Sequence, residues 1–354
     1  MDRWHRTRSI DSGDLRLDGL ELLRSATQLD PQGALAVFHF TVRGPNLLSI
    51  LRSLARRSPV DPDPLTGQFS PEVLLGGVAE PAQLGGPFAI AQPYTVAFLT
   101  PDVDHIPALR EVTGLPALAD QWLWQLASRS SEADFPTTPE LIAGVNADAV
   151  RISADWSALV LRHGAAFIGH RPDEGPGDFY GFASLHVRSI YLDALLLGTV
   201  QRDHIDQLTD DLSGVFDESG LAPRVADLEH SIARFRSTYW RQHLTAHGPA
   251  NDLLVAYQGQ YRLATRFSEI LAEAADYSRL VQTQESQQIA GALGVLTILG
   301  LPLGTALSIL QVLGDDDLGH LLIALGSALA ATGAALTTRY GRLVLASLRG
   351  GRRL

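Results

Sequence analysis

The chain has 354 residues, of which 45% are hydrophobic, and a formal net charge of -11 at pH 7. This acidic balance argues against nucleic acid as a partner, because neutralising phosphates requires clustered cations. The sequence contains no cysteine, which excludes disulfides, zinc-thiolate sites, iron-sulfur clusters and a cysteine nucleophile.

Residues 1–186 predict an α/β or α+β domain, which we expect to be cytosolic. The segments FHFTV (38–42) and YTVAFLT (94–100) are rich in β-branched and aromatic residues, as strands are. Residues 150–171 have the same character and predict a hairpin that turns near His163.

Residues 187–288 predict a helical region and a long stalk. Apolar residues at alternating spacings of three and four lie on one helical stripe: Val225, Leu228, Ile232, Phe235 and Tyr239. After a break at Pro249, one continuous helix is expected from Asn251 to Leu313, about 63 residues long and about 95 Å in length. A single copy cannot bury the apolar stripe of such a helix, so we expect an oligomer of stalks.

Two uncharged runs near the end of the sequence predict a C-terminal hairpin of two transmembrane helices. Residues 289–313 contain no charged side chain, and at about 25 residues they are long enough to cross the hydrocarbon core. Residues 318–338 form a second run of about 21 residues, also long enough to span. A pair of buried core helices is the alternative that these residues leave open.

The charges beside the two runs predict an orientation. The linker 314–317 holds Asp315, Asp316 and Asp317, whereas the tail 339–354 contains five arginines and no acidic residue. By the positive-inside rule, the tail is inside and the linker is outside. We therefore expect a multi-pass protein of the cell (plasma) membrane, with the lipid bilayer as a partner and both termini cytoplasmic.

The order of these elements resembles the CorA family of two-span divalent-cation channels, to which ZntB-type zinc transporters are related. The most similar local segment is Leu301, Pro302 and Leu303, where family members have an apolar-Pro-Leu step. The family's Gly-Met-Asn filter is absent, since the corresponding positions are Gln311, Val312 and Leu313. The resemblance implies a homopentamer that passes magnesium or another divalent metal ion without ATP and is gated by its cytosolic domain.

Small and polar residues of the first run lie within one arc of a helix and predict a pore lining, with Leu301 as an apolar constriction: Thr297, Leu301, Gly304, Thr305, Ser308 and Gln311. The alternative is close packing of helices through Gly300 and Gly304. Repeated around an oligomer, Asp315, Asp316 and Asp317 would form an acidic ring at the outer mouth. A solvated turn explains the three aspartates equally well.

Acidic residues of the cytosolic part are candidates for regulatory metal ligands. The resemblance implies divalent ions (Mg, Zn, Co or Ni) between subunits, and Asp206, Asp210 and Asp211 are candidate ligands for them. Other candidate groups favour turn or loop polarity over metal binding: Asp102, Asp104 and His105, and His163, His170, Asp173 and Glu174. No further cofactor is expected.

The sequence contains no Walker A loop, HExxH, GxSxG or strand-associated GxGxxG motif, which argues against an enzyme. The first functional hypothesis is a CorA-like, passive and gated metal-cation channel. The alternative is a membrane-anchored oligomeric sensor or effector, in which the two spans serve as an anchor or as a pore opened by a signal.

Overall fold

The computed structural model describes residues 2–24, 34–44, 46–55, 67–79, 93–100, 118–131, 134–136, 138–170, 173, 177–216, 220–241, 244–246, 248–313 and 318–337. The described chain is mixed α/β and has two small sheets. It divides into two compact units: unit 1 comprises Met1–Ile205 and Thr238–Thr265, and unit 2 comprises Asp206–Ser237 and Arg266–Leu354.

Sheet A of unit 1 is an antiparallel sheet of β1 (Asp2–Ser12), β2 (Leu15–Arg24) and β3 (Ala34–Val42), in that order. Gly13, with φ 65°, allows the tight turn between β1 and β2. One face of the sheet is apolar and packs with α1 (Leu47–Ala55), a 3-10 turn (Gly67–Phe69) and α2 (Pro71–Leu74) around Leu15, Leu17, Ile50, Phe69 and Leu74. The predicted strand at 38–42 is part of β3, whereas β1 and β2 were not predicted.

Sheet B of unit 1 has the order β4 (Thr95–Leu99), β7 (Gly164–Gly169), β6 (Trp156–Val160), β5 (Val150–Arg151). β4 is parallel to β7, while β6 and β7 form the antiparallel hairpin expected near His163. Every residue of β6 and β7 is buried, because α3 (Leu118–Ser128) covers one face and an aromatic cluster covers the other.

The remaining helices of unit 1 complete its core. They are α4 (Pro139–Ala147), α5 (Phe179–His186), the first part of α6 (Leu192–Ser213) and α8 (Gly248–Gln260). A π-helical turn, Val187–Tyr191, joins α5 to α6. The Tyr191 ring stacks on Phe167 of sheet B at 5.9 Å, so this turn anchors the helices to the sheet.

Unit 2 contains the end of α6, α7 (Leu221–Thr238), most of α9 (Leu263–Leu313) and α10 (Leu318–Thr337). The apolar stripe expected on α7 is confirmed over four positions, all buried: Val225, Leu228, Ile232 and Phe235. Phe235 packs edge-on against Phe267 of α9, with ring centroids 5.1 Å apart. Tyr239, the fifth predicted position, follows the end of α7 and belongs to unit 1.

The prediction of one continuous helix from Asn251 to Leu313 is wrong. The chain forms α8, a two-residue turn and then α9, because Arg262 adopts a left-handed conformation with φ 52°. Its backbone N–H donates to the Gly259 carbonyl at 3.0 Å, which closes the turn. Residues other than glycine enter this conformation at a cost of about 1 kcal/mol or more. An arginine is therefore not expected to adopt it, and the sequence did not predict the turn.

The prediction of transmembrane helices at 289–313 and 318–338 is wrong as well. In the described ranges of the chain, no helix has both the length and the apolar character needed to cross a bilayer. The prediction relied on an absence of charge. Many of the residues concerned are glycine, alanine, serine or threonine, which are uncharged without being strongly apolar.

The expectation of a multi-pass plasma-membrane protein with two cytoplasmic termini rested on the same two segments and is wrong with them. The helices are instead α9, whose first half carries charged residues such as Arg266, Glu269 and Glu285, and the shorter α10. The predicted linker 314–317 and basic tail 339–354 lie outside the described residues.

Candidate functional site

The residues predicted to line a pore lie along α9. The hydroxyls of Thr297 and Thr305 donate to the carbonyls of Leu293 (2.8 Å) and Leu301 (2.6 Å), one turn earlier in the same helix. Each hydroxyl therefore has a partner in its own backbone, as is common for threonine in helices. Both side chains are exposed.

The other residues of that predicted lining are also exposed: Leu301, Gly304, Ser308 and Gln311. Leu301 has 63% of its surface accessible, and beyond the adjacent helix backbone no atom lies within 4 Å of the position that a Cβ on Gly304 would occupy. The acidic ring predicted from Asp315, Asp316 and Asp317 lies outside the described residues.

The three candidate regulatory aspartates lie on α6 and have different surroundings. Asp206 forms an ion pair with Arg266 of α9 at 2.6 Å. Burial and the neighbouring Asp210 raise the pKa of Asp211 above its ordinary value of 3.8. Within the described ranges, no three histidine, aspartate or glutamate side chains are grouped so that they could hold a metal ion. The structure therefore does not bring Asp206, Asp210 and Asp211 together as a metal centre.

The two histidines expected beside the hairpin lie at opposite ends of β7. His163 belongs to the turn that precedes the strand, where burial, together with Arg129 and Arg162, lowers its pKa below 6.5. His170 follows the strand directly. Asp102, Asp104, His105 and Glu174 lie outside the described residues, whereas Asp173 accepts the Phe179 N–H at 2.5 Å and so fixes the start of α5.

A charged group that the sequence reading missed surrounds His170 at the edge of sheet B. The parallel strands β4 and β7 both end at this edge, which is where α/β sheets commonly bind ligands. Burial raises the pKa of Asp120 above 3.8, although His170 and Arg151 favour its charged form. Burial also lowers the pKa of His170, against the attraction of Asp120 and Asp155. Such groups can exchange protons and hydrogen bonds with a polar ligand.

A second group that was missed lies on the face of sheet A opposite the apolar core. Strand register places Arg3 and His5 of β1, Glu21 of β2, and His39 and Thr41 of β3 on this face, which we call the polar face. Glu21 is only 7% exposed, yet its pKa lies below the ordinary value of 4.5. Burial alone would raise that pKa, but hydrogen bonds from Arg3 and His39 outweigh the burial.

Two ion pairs join the polar face to the segment that begins α6. Arg3 Nη1 donates to Asp193 of α6 at 2.9 Å, and Arg188 of the π-helical turn reaches Asp18 at 3.4 Å. Asp18 lies at a β-bulge between Leu17 and Gly19, which turns its carboxylate towards Thr41. A weak signal was present in the sequence, since Arg3 and His5 alternate in β1 and His39 and Thr41 alternate in β3, but only the register shows that they meet.

A third feature is a row of exposed apolar positions on α9, which we call the α9 seam: Ile289, Leu293, Leu296, Gly300 and Leu307. The successive spacings are four, three, four and seven residues, so the row runs along one side of the helix. The four large side chains are 51–69% exposed. No charged residue occurs between Ile289 and Leu313.

Comparison of the chain with protein-family models, with curated proteins and with solved structures found no match. The resemblance to the CorA family therefore stays a prediction. Cation transport and the pentameric state also stay predictions that the geometry does not test.

Proposed function

We propose that the chain is a self-assembling protein in which α9 joins several copies. The observation that carries this proposal is the α9 seam, where Ile289, Leu293, Leu296 and Leu307 are exposed at coiled-coil spacing. Apolar rows of this length are uncommon on isolated chains and usually mark an interface.

The partner that fits the seam best is a second copy of the same helix. Its spacing of three and four residues lets side chains of one helix enter the gaps of an identical one. The absence of charge between Ile289 and Leu313 offers nothing to a partner that binds through ion pairs. Burying one leucine or isoleucine contributes about 1.5–3 kcal/mol, so four such side chains from each copy supply a substantial free energy of association.

The seam occupies only part of the long helix α9. Its 51 residues extend for roughly 77 Å at 1.5 Å per residue, and the seam occupies only the C-terminal half. The N-terminal half has charged residues such as Glu269, Glu273 and Arg279 and remains hydrated. Association through the C-terminal half of this helix would join several copies of the chain in one assembly.

The test is sedimentation equilibrium of the purified full chain over a wide range of protein concentrations. We expect an oligomer for the wild type and a monomer for Leu296→Glu, because association would bury an unpaired carboxylate. Gln287→Glu is the matched control, since it adds the same charge on the opposite side of α9 and should leave the mass unchanged.

Two outcomes would contradict the proposal. One is a wild-type monomer at every concentration, and the other is an oligomer that Leu296→Glu leaves intact. The measured mass of the wild-type oligomer would also test the predicted pentamer.

A further inference from the structure

The polar face of sheet A concentrates titratable groups on one buried carboxylate. Arg3 donates from Nε and Nη2 to Glu21 Oε2, both at 2.6 Å. His39 Nε2 lies 3.0 Å from Glu21 Oε1, and His5 Nδ1 lies 3.5 Å from the same oxygen. A single carboxylate from β2 is thus shared by a guanidinium and two imidazoles from both neighbouring strands.

The same guanidinium is a connection between sheet A and helix α6. Arg3 holds Glu21 with one side of its planar group and Asp193 with Nη1. Hydrogen bonds between charged groups, as here, are shorter and stronger than those between neutral groups. The pair Arg188 and Asp18 makes a second connection from the π-helical turn to β2. A change that breaks the ion pair of Arg3 or of Arg188 therefore weakens the attachment of sheet A to the start of α6.

The formal charges of this cluster balance only while its histidines are neutral. Three arginines (Arg3, Arg16 and Arg188) are matched by three carboxylates (Asp18, Glu21 and Asp193). Protonation of His39 adds a positive charge whose one acidic contact, Glu21, already holds Arg3. The groups that act on His39 are Glu21 of β2, His5 of β1 and Arg188 of the π-helical turn.

The environment of His39 favours its neutral form. Its side chain is only 13% exposed, and burial lowers its pKa below the ordinary value of 6.5. The hydrogen bond to Glu21 acts in the opposite direction, whereas Arg188 and His5 add to the lowering. A histidine with a lowered folded-state pKa stabilises the folded arrangement fully above pH 6.5, and that stability is lost as the pH falls from 6.5 towards the folded-state value.

We propose that Glu21, His39 and Arg3 form a proton-operated latch that holds β1 against the start of α6 and releases it in mild acid. With neutral His39, its N–H completes the hydrogen bonds of Glu21 and leaves Arg3 bound to Asp193. With protonated His39, repulsion from Arg188 and the need of the imidazolium for water favour an opened sheet A. This proposal is independent of the assembly of α9, because every residue in the cluster lies in unit 1.

Hydrogen exchange of the full chain, followed by mass spectrometry, tests the latch. The readout is protection of the β1 amides, corrected for intrinsic exchange, at neutral pH and about one unit below the ordinary histidine pKa. We expect wild-type β1 to lose protection in acid, by at most about tenfold at this pH, because the opened state binds the His39 proton more tightly than the closed state does. His39→Gln keeps an N–H donor for Glu21 but cannot take up a proton, so its β1 should stay protected.

His230→Gln, an exposed substitution on α7 in unit 2, is the matched control and should behave as the wild type does. The latch is refuted if wild-type β1 keeps its protection in acid, or if His39→Gln loses it equally. Should His39→Gln fail to fold, an NMR titration of the wild type decides the matter. The β1 amide shifts must then share the midpoint of the His39 ring, and separate midpoints would overturn the proposal.

Discussion

The side-chain amide of Gln258 donates to the side-chain oxygen of Gln201 at 2.8 Å, and Gln201 has no exposed surface. The amide nitrogen of Gln201 donates in turn to the carbonyls of Tyr239 (2.8 Å) and Arg241 (3.0 Å). These two glutamines, from α6 and α8, therefore hold the irregular segment that follows α7. Buried backbone carbonyls outside regular structure need such partners.

Replacing Gln201 by alanine should lower the free energy of unfolding by about 3 kcal/mol, because the buried Gln258 amide and two part-buried carbonyls each lose a partner. Urea denaturation followed by circular dichroism measures this loss. Gln287→Ala, at an exposed position of α9, should change the stability by no more than about 0.5 kcal/mol. Equal stabilities for the two variants would show that the Gln201 hydrogen bonds contribute little.

Replacing either of two helical glycines by alanine should change the free energy of unfolding, but in opposite directions. A Cβ on Gly198 of α6 would lie 2.5 Å from Cδ1 of Tyr257, whose ring is fully buried and packs against Tyr94 and Tyr261. Gly198→Ala should therefore cost about 2 kcal/mol, as overpacking does.

Gly259 of α8 is the matched comparison, because beyond the adjacent helix backbone no atom lies within 4 Å of its hypothetical Cβ. Gly259→Ala should raise the stability by about 1 kcal/mol, since alanine restricts the unfolded chain and favours the helix. Thermal unfolding of both variants gives the comparison. A Gly198→Ala protein as stable as the wild type would mean that Tyr257 can move aside.

The turn between α8 and α9 predicts a stabilising substitution. Arg262 has φ 52°, and its side chain is exposed. Glycine adopts this conformation without the steric cost, so Arg262→Gly should be more stable than Arg262→Ala by about 1 kcal/mol. Both variants lack the arginine side chain, which isolates the backbone effect. The reverse order of melting temperatures would count against the left-handed turn.

The raised pKa of Asp120, at the edge of sheet B, predicts that the free energy of unfolding depends on pH. Its pKa in the folded state is raised above 3.8, chiefly by burial, so the folded protein binds the proton more tightly than the unfolded chain does. The resulting stability is present below pH 3.8 and is lost as the pH rises through the folded-state pKa. Asp120→Asn should therefore be more stable than the wild type at neutral pH.

The advantage of Asp120→Asn should disappear in strong acid, where the wild-type carboxyl is protonated in both states. Chemical denaturation at several pH values follows this change. The exposed Asp148→Asn serves as the control, with little change expected at any pH. A destabilised Asp120→Asn at neutral pH would mean that attraction to His170 and Arg151 outweighs the cost of burial.

Features with a local periodic signal could be predicted from the sequence. The stripe on α7 depends only on spacings of three and four residues, and Val225, Leu228, Ile232 and Phe235 are buried as expected. The hairpin of β6 and β7 was recognisable because its strands are short, apolar and close in the sequence. Strand β4 was found for the same reason.

Features that depend on distant residues could not be predicted. Asp120 and His170 interact only because α3 packs on sheet B, and Arg3 meets Asp193 across 190 positions of sequence. Neither Arg262 nor its two neighbours is a glycine or proline, so the sequence does not indicate the left-handed conformation of Arg262. For residues 289–313, the absence of charge coincides with a real feature, the exposed α9 seam, but the prediction placed this segment in a bilayer.

The chain passes between the two units three times, after Ile205, after Ser237 and after Thr265. All three passages lie inside helices: α6, the last residue pair of α7, and α9. Neither unit corresponds to one uninterrupted stretch of the gene. Exchange of one contiguous segment of the gene therefore cannot replace one whole unit by that of another protein.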